Sequence, residues 1–203
     1  MRSMLSILSR LVVAGMLVSI SAAAVFGQDP TMALKSEWSA ASNGRTEFEV
    51  SDAALLPSTL ARAAEQSGCS YKDDIKNAPV RFMRPDGHRL AIVFCSGIIG
   101  SHQVFDVSNV LRPRLLELPF LAQPEGVGTT ARPGWITWEK EANVFQAETG
   151  SDMLPSPRVR HTYRYSKFNV TFALVRVEVQ HDGVGEWITM WDAPRWSLPG
   201  KPK

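Results

Sequence analysis

The sequence predicts a mainly β fold of antiparallel meanders that form a curled sheet, a sandwich or a barrel, with one N-terminal helix. Three observations support this prediction. Apolar and polar residues alternate with a period of two in about eight or nine short segments. Turn-forming residues such as Pro85-Asp86-Gly87 separate the segments, and Asp-Gly tolerates the positive φ angles of tight turns. One segment near the front, 58–66, has helical spacing instead.

The predicted helix starts at Pro57 or Ser58 and ends before Gly68. Ala and Leu dominate its interior, and a glycine suits the left-handed residue that follows many helices. Its predicted buried stripe, at helical spacing, consists of Leu56, Leu60, Ala63 and Ala64.

The predicted strands fall into three sets, with one further short strand at 46–50. A loop rich in proline and glycine, 119–134, joins the first set to the second, and loops of this length are often functional or mobile. The three sets are a meander over 80–84, 89–95 and 102–107, a hairpin over 135–140 and 144–149, and a final set over 159–166, 170–180 and 186–191.

The two halves of the predicted strand 170–180 differ in the polarity of their faces. Its first half is apolar on both faces, whereas Arg176 and Glu178 make one face of its second half polar. A strand that is covered on both faces at one end and exposed to solvent on one face at the other suggests a sheet that curls or is capped at one end.

The first 27 residues have the layout of a cleavable secretory signal. Arg2 and Arg10 flank the start of an apolar stretch over 11–20, which is followed by small residues up to Ala24. The stretch is shorter than the roughly 20 apolar residues of a membrane-spanning helix. We expect cleavage after Gly27, or alternatively after Ala24, and no membrane anchor thereafter because no cysteine lies near either site.

The remaining chain is predicted to be a mobile leader, 28–45, followed by a single β-rich domain, 46–203. Loss of Arg2 and Arg10 with the signal lowers the number of basic residues from 22 to 20. This equals the number of acidic residues, which is 20. A neutral mature chain gives no support to a polyanion partner, so nucleic acid is not expected as a ligand.

Cys69 and Cys95 are the two cysteines of the chain. An exported protein reaches an oxidising compartment, so we expect the two to form a disulfide. The alternative is a pair of buried thiols.

Known catalytic and metal-binding motifs do not occur in the sequence. The four histidines are scattered without ligand spacing, and no cysteine is left to bind a metal. There is no nucleophile elbow, and Gly126-Val127-Gly128 lacks the strand and helix context of a dinucleotide site. We therefore expect neither a metal nor a cofactor.

The candidate binding residues are three arginines on one strand and one tryptophan. Alternation places Arg158, Arg160 and Arg164 on one face, where they would suit the carboxylates or sulfates of an acidic partner. The favoured alternative is pairing with acids of neighbouring strands, namely Glu139, Glu148 and Glu178.

Tryptophans could also stack on sugars or anchor a protein interface. We expect most of those beyond residue 130 to fill the core, and Trp196, in a proline-flanked tail, to be exposed. The residues concerned are Trp135, Trp138, Trp187, Trp191 and Trp196.

Three features give the chain a resemblance to a known family. They are a helix ending in Gly68-Cys69, an apolar strand from Leu90 that ends in Cys95, and a late strand beginning Gly185-Glu186-Trp187. In these the chain resembles the C-terminal part of an exported proteobacterial family known only as domain of unknown function 1176. That family has no agreed activity, so the resemblance implies a periplasmic location and a β-rich fold and transfers no site residues.

The sequence thus predicts a periplasmic or secreted protein that is not an enzyme and binds an envelope protein or an envelope glycan through its sheet and loops. One alternative is a hydrolase that acts on envelope material. The other is a protein similar to lysozyme inhibitors, suggested by the small, exported, disulfide-linked β format alone.

Overall fold

The computed structural model describes residues 29–97, 100–122, 126–149, 157–166, 171–181 and 185–194. The predicted signal peptide, 1–27, and Trp196 lie outside these residues. None of the helices in the described ranges is long and apolar enough to cross a membrane. The elements are α1 (Pro30–Ser42), β1 (Phe48–Val50), α2 (Ser58–Gln66), β2 (Val80–Met83), β3 (Leu90–Cys95), β4 (Ser101–Asp106), β5 (Arg114–Leu116), β6 (Leu118–Ala122), β7 (Gly126–Thr130), β8 (Trp135–Glu139), β9 (Val144–Thr149), β10 (Arg158–Ser166), β11 (Thr171–Gln180) and β12 (Ile188–Asp192).

These strands form two five-stranded sheets and a separate hairpin. Sheet one has the order β1-β2-β3-β4-β5, and sheet two has the order β12-β11-β10-β9-β8. Strands β6 and β7 pair only with each other. All neighbouring strands are antiparallel and follow one another along the chain. The predicted mainly β fold of antiparallel meanders is confirmed, and the sheets do not close into a barrel.

Sheet one is the middle layer of the molecule. On one face, its side chains pack with those of the helices, among them Trp38 and Leu60. On the other face, Ile92 and Val104 pack against the inner face of sheet two. Strand β3 is covered on both sides, which explains why it reads as a continuous apolar run rather than an alternation.

Helix α2 has the predicted bounds, and its end is confirmed by the positive φ of 74° at Gly68. Leu56, Leu60 and Ala64 are buried as predicted. The disulfide between Cys69 and Cys95 is also confirmed, and it joins the residue after Gly68 to the last residue of β3.

A helix occupies most of the segment predicted as a mobile leader, 28–45. The Asp29 side chain accepts a hydrogen bond from the Thr31 backbone N–H at 2.9 Å, and Pro30 occupies the first turn, where its missing N–H costs nothing. Trp38 is buried and its Nε1 donates to Thr59 at 2.9 Å. The leader prediction was therefore wrong over α1, because Trp38 anchors that helix to α2.

A hairpin occupies much of the segment predicted as a loop, 119–134. Strands β6 and β7 pair from Leu118 with Thr130 to Ala122 with Gly126. One of the glycines that suggested a loop, Gly128, has a packing role, since a Cβ there would lie 2.8 Å from the ring of Phe120 on the partner strand. Glycine on this hairpin thus makes room for an aromatic ring.

A β-bulge explains why the pattern of apolar and polar residues changes along β11. Thr162 pairs with Arg176 and Tyr163 pairs with Leu174, so Val175 has no partner on β10. The extra residue shifts the alternation by one position. Leu174 and Val177 are three residues apart and would lie on opposite faces of a regular strand. Because of the bulge, both face the inner side of the sheet.

Strand β8 is an edge strand of sheet two, and it contacts sheet one. Ser101 Oγ accepts from the Gly134 backbone N–H at 3.0 Å, and His102 Nδ1 accepts from the Ile136 backbone N–H at 2.8 Å. Arg81 Nη2 donates to the Ile136 carbonyl at 2.6 Å. Polar side chains of sheet one therefore satisfy backbone groups along this edge, which would otherwise be buried without partners.

Candidate functional site

The three predicted arginines lie on the outer face of sheet two. His161 and Tyr163, which alternate with them along β10, are buried on the inner face, so the predicted alternation holds. Arg158 and Arg160 are half-buried and Arg164 is exposed.

Two of these arginines contact acids of the neighbouring strands. Arg158 Nη2 lies 2.8 Å from Glu148, and Arg160 Nη2 lies 2.8 Å from the other oxygen of the same carboxylate. On the opposite side, Arg160 lies 3.9 Å from Glu178, and its guanidinium carbon lies 3.9 Å from the ring centroid of Trp187. The sheet itself thus supplies counter-charges for these two side chains.

Arg164 stands apart from this network. Its side chain is exposed near the far end of the strand, and among the described residues no carboxylate lies within ion-pair distance of it. The structure therefore brings Arg158 and Arg160 together over Glu148 and leaves Arg164 outside that cluster.

The tryptophans of sheet two are less buried than the sequence suggested. Trp135 is 49% exposed and Trp191 is 36% exposed, while Trp138 and Trp187 are half-buried. The prediction that most of them fill the core was wrong. The reason is position, because Trp135 and Trp191 lie on β8 and β12, the two edge strands of sheet two.

A concave site lies on the opposite, inner face of sheet two. Sheet one covers that face around Tyr163 and Phe145, whereas the β6–β7 hairpin covers it beyond His161. The incomplete cover leaves a cavity of about 580 Å³. Its lining consists of Phe120, Leu121, Thr129, Thr130, Arg132, Pro133, Thr149, Pro157, Val159, His161, Val177, Val179, His181 and Met190.

His161 holds the hairpin to sheet two. Its Nε2 lies 3.2 Å from the backbone nitrogen of Leu121 and 3.1 Å from the carbonyl oxygen of the same residue. A neutral imidazole can accept from the first or donate to the second, according to its tautomer. Burial lowers the pKa of His161, so the ring is neutral at neutral pH.

The remaining polar side chains of the lining are largely engaged with the protein. Thr129 Oγ1 donates to Glu117 at 2.7 Å, and Thr130 Oγ1 accepts from the Arg132 backbone N–H at 3.0 Å. Thr149 Oγ1 donates to the carbonyl of Val159 at 3.3 Å. What the cavity offers a ligand is therefore mainly apolar surface.

The lining contains no group suited to nucleophilic or carboxylate chemistry. No carboxylate, thiol, lysine or serine occurs among the described residues that form it. His161, whose Nε2 is committed to Leu121, has no acid or nucleophile beside it in the lining with which it could share a proton. Throughout the described ranges, no group of three or more histidine, cysteine or carboxylate side chains is placed to hold a metal ion.

The cavity was not predicted from the sequence. The sequence analysis noted only that a loop as long as 119–134 is often functional or mobile, and Phe120 and Arg132 of that segment line the cavity. Its other walls come from the end of β9 and from β10, β11 and β12. No local pattern in those strands distinguishes a residue that faces a cavity from one that faces the core.

Comparison of the chain with protein-family models, with curated proteins and with solved structures finds no match. The resemblance to domain of unknown function 1176 stays a prediction, and the site is interpreted from its own geometry.

Proposed function

We propose that this protein is an exported binding protein, not an enzyme, and that it holds a small apolar ligand in the cavity between the β6–β7 hairpin and sheet two. The observation that carries the proposal is the cavity itself. Its volume of about 580 Å³ falls within the range of roughly 300–1,000 Å³ that is typical of small-molecule sites.

The chemistry of the walls favours binding over catalysis. Valine, leucine, phenylalanine, proline and methionine provide most of the surface, and the threonines have protein partners. A glycan would need free side chains that hydrogen-bond its hydroxyl groups, and the lining provides few. An apolar molecule needs only the removal of its surface from water, which contributes about 25 cal/mol per Å² buried.

Two features support export. The first is the signal-like sequence over 1–27, and the second is the disulfide between Cys69 and Cys95, which is characteristic of oxidising compartments. We therefore place the binding function in the periplasm or outside the cell.

The test is titration of the mature protein with the neutral fluorescent probe N-phenyl-1-naphthylamine. We expect saturable fluorescence with one site per chain. The double variant Val159→Phe/Val179→Phe narrows the cavity, because both positions line it and are only half-buried. It should bind the probe at least about tenfold more weakly, a loss of roughly 1.4 kcal/mol.

The matched control is Val127→Phe. Val127 belongs to the same hairpin but is 78% exposed and does not line the cavity. Circular dichroism verifies that all variants are folded. Absence of saturable binding to the wild type, or equal binding to the folded double variant, would show that the cavity is not a ligand site.

A further inference from the structure

Exposure divides the cavity into a floor and a mouth. Pro133, His161 and Val177 are buried and form the floor. Arg132, His181 and Met190 are the exposed part of the lining that we assign to the mouth. The positively charged side chain of the lining is therefore at the mouth, and the floor is uncharged.

Arg132 has unused hydrogen-bonding capacity. A guanidinium has five N–H donors, and Arg132 directs one of them, on Nη2, to the Gly68 carbonyl at 2.6 Å. This contact with the end of α2 restricts where the side chain can go. Among the described residues no carboxylate forms an ion pair with Arg132, in contrast to Arg160 on the other face of the sheet.

A wholly apolar ligand would make no use of the charge of this guanidinium, whereas an amphiphile would use both parts of the site. We infer that the ligand has a single aliphatic chain, which lies along the floor, and one anionic head group, which Arg132 binds at the mouth. A carboxylate matches the planar fork of the guanidinium. This inference rests on the proposed function and adds the class of ligand to it.

The experiment displaces N-phenyl-1-naphthylamine from the mature protein with three ligands of equal chain length. They are dodecanoate, dodecanol and dodecyltrimethylammonium, each used below its micelle-forming concentration. We expect dodecanoate to bind most tightly to the wild type and dodecyltrimethylammonium most weakly. Arg132→Gln should weaken dodecanoate binding about fivefold and change dodecanol binding by less than about twofold, as befits a charge pair at an exposed mouth.

Arg112→Gln is the matched control, because Arg112 is exposed and does not line the cavity. It should leave all three affinities unchanged. Added salt should weaken dodecanoate binding to the wild type and affect Arg132→Gln less.

The outcomes separate this inference from the proposed function. If the probe binds in the cavity but the three ligands compete equally, or if Arg132→Gln weakens dodecanoate and dodecanol alike, the anionic head group is refuted and the apolar site remains. The same holds if dodecanol binds more tightly than dodecanoate. If neither the probe nor any ligand binds, both proposals fail together.

Discussion

Acidification below pH 6.5 should destabilise this protein through His102, a buried residue where sheet one meets β8. Its Nδ1 accepts a hydrogen bond from the Ile136 backbone N–H at 2.8 Å. Its ring packs against Trp135, with ring centroids 4.6 Å apart, and against Phe94, at 5.6 Å. A proton on Nδ1 would face the Ile136 N–H, so the folded structure requires the neutral imidazole.

Burial and, to a lesser degree, the nearby Arg81 lower the pKa of His102 from its ordinary value of 6.5 to about 4. Because the unfolded chain binds a proton at a higher pH than the folded chain, the free energy of unfolding falls as the pH decreases. The contribution is fully present above pH 6.5 and is lost progressively as the pH falls towards 4. The loss is about 2 kcal/mol between pH 7 and pH 5, and about 3 kcal/mol at pH 4 and below.

The assay is urea denaturation of the chain from residue 28 onwards at pH 7 and at pH 5, compared between the wild type and His102→Asn. The oxygen of asparagine can accept the Ile136 N–H from about the position of Nδ1, and it does not titrate in this range. The variant loses ring packing and is therefore less stable at pH 7. Its stability should nevertheless decrease less between the two pH values, by about 2 kcal/mol.

His181→Asn is the control, since His181 is exposed. His161 also has a lowered pKa and contributes in the same direction, so His102→Asn should retain some pH dependence. An equal decrease in stability for the wild type and His102→Asn would refute the reasoning. If the variant does not fold, the pKa of His102 is measured in the wild type by NMR titration. A value near 6.5 would contradict the lowered pKa on which the prediction rests.

Three further predictions concern the contacts that hold the fold together, and each is tested by urea or thermal denaturation. Replacement of Cys69 and Cys95 by alanine opens a link across 26 residues and should lower the free energy of unfolding by about 3.5 kcal/mol, so a loss below about 1 kcal/mol would contradict the role of the disulfide. Gly134→Ala should cost at least about 2 kcal/mol, because φ is 107° and the new Cβ would lie 2.1 Å from a carbonyl oxygen of β9; wild-type stability would count against this geometry. Arg160→Gln should lower the Tm by about 2–4 °C and Arg164→Gln should not, and equal effects would show that the contacts of Arg160 contribute nothing.

Local sequence patterns were sufficient for helix α2 and for every strand of the two large sheets except β5, which was not predicted. Alternation with a period of two and the Asp86-Gly87 turn depend on backbone conformations that a few neighbouring residues determine. Gly87 indeed has a φ of 87° and Asp86 one of 46°. The disulfide could be predicted for a different reason, since two cysteines in a chain that is predicted to be exported have only one intramolecular pairing.

Other elements depend on contacts that are distant in sequence. Helix α1 has weak local signals, and the contact of Trp38 with Thr59 connects residues 21 positions apart. The β6–β7 hairpin is rich in glycine and proline, and His161, 40 positions from Leu121, holds it in place. The bulge at Val175 is visible in the sequence only as an irregular alternation, and pairing with β10 identifies it.

The sequence by itself determined the strands other than β5, β6 and β7, the order in which those strands follow one another in meanders, and that Arg158, Arg160 and Arg164 share a face. Those properties follow from the local geometry of the chain. Only the tertiary structure decided that acids of β9 and β11 lie against Arg158 and Arg160, and that the opposite face is left partly uncovered next to the β6–β7 hairpin. A cavity is space that no residue fills, so it depends on how separate elements pack together, and no single segment of the sequence encodes it.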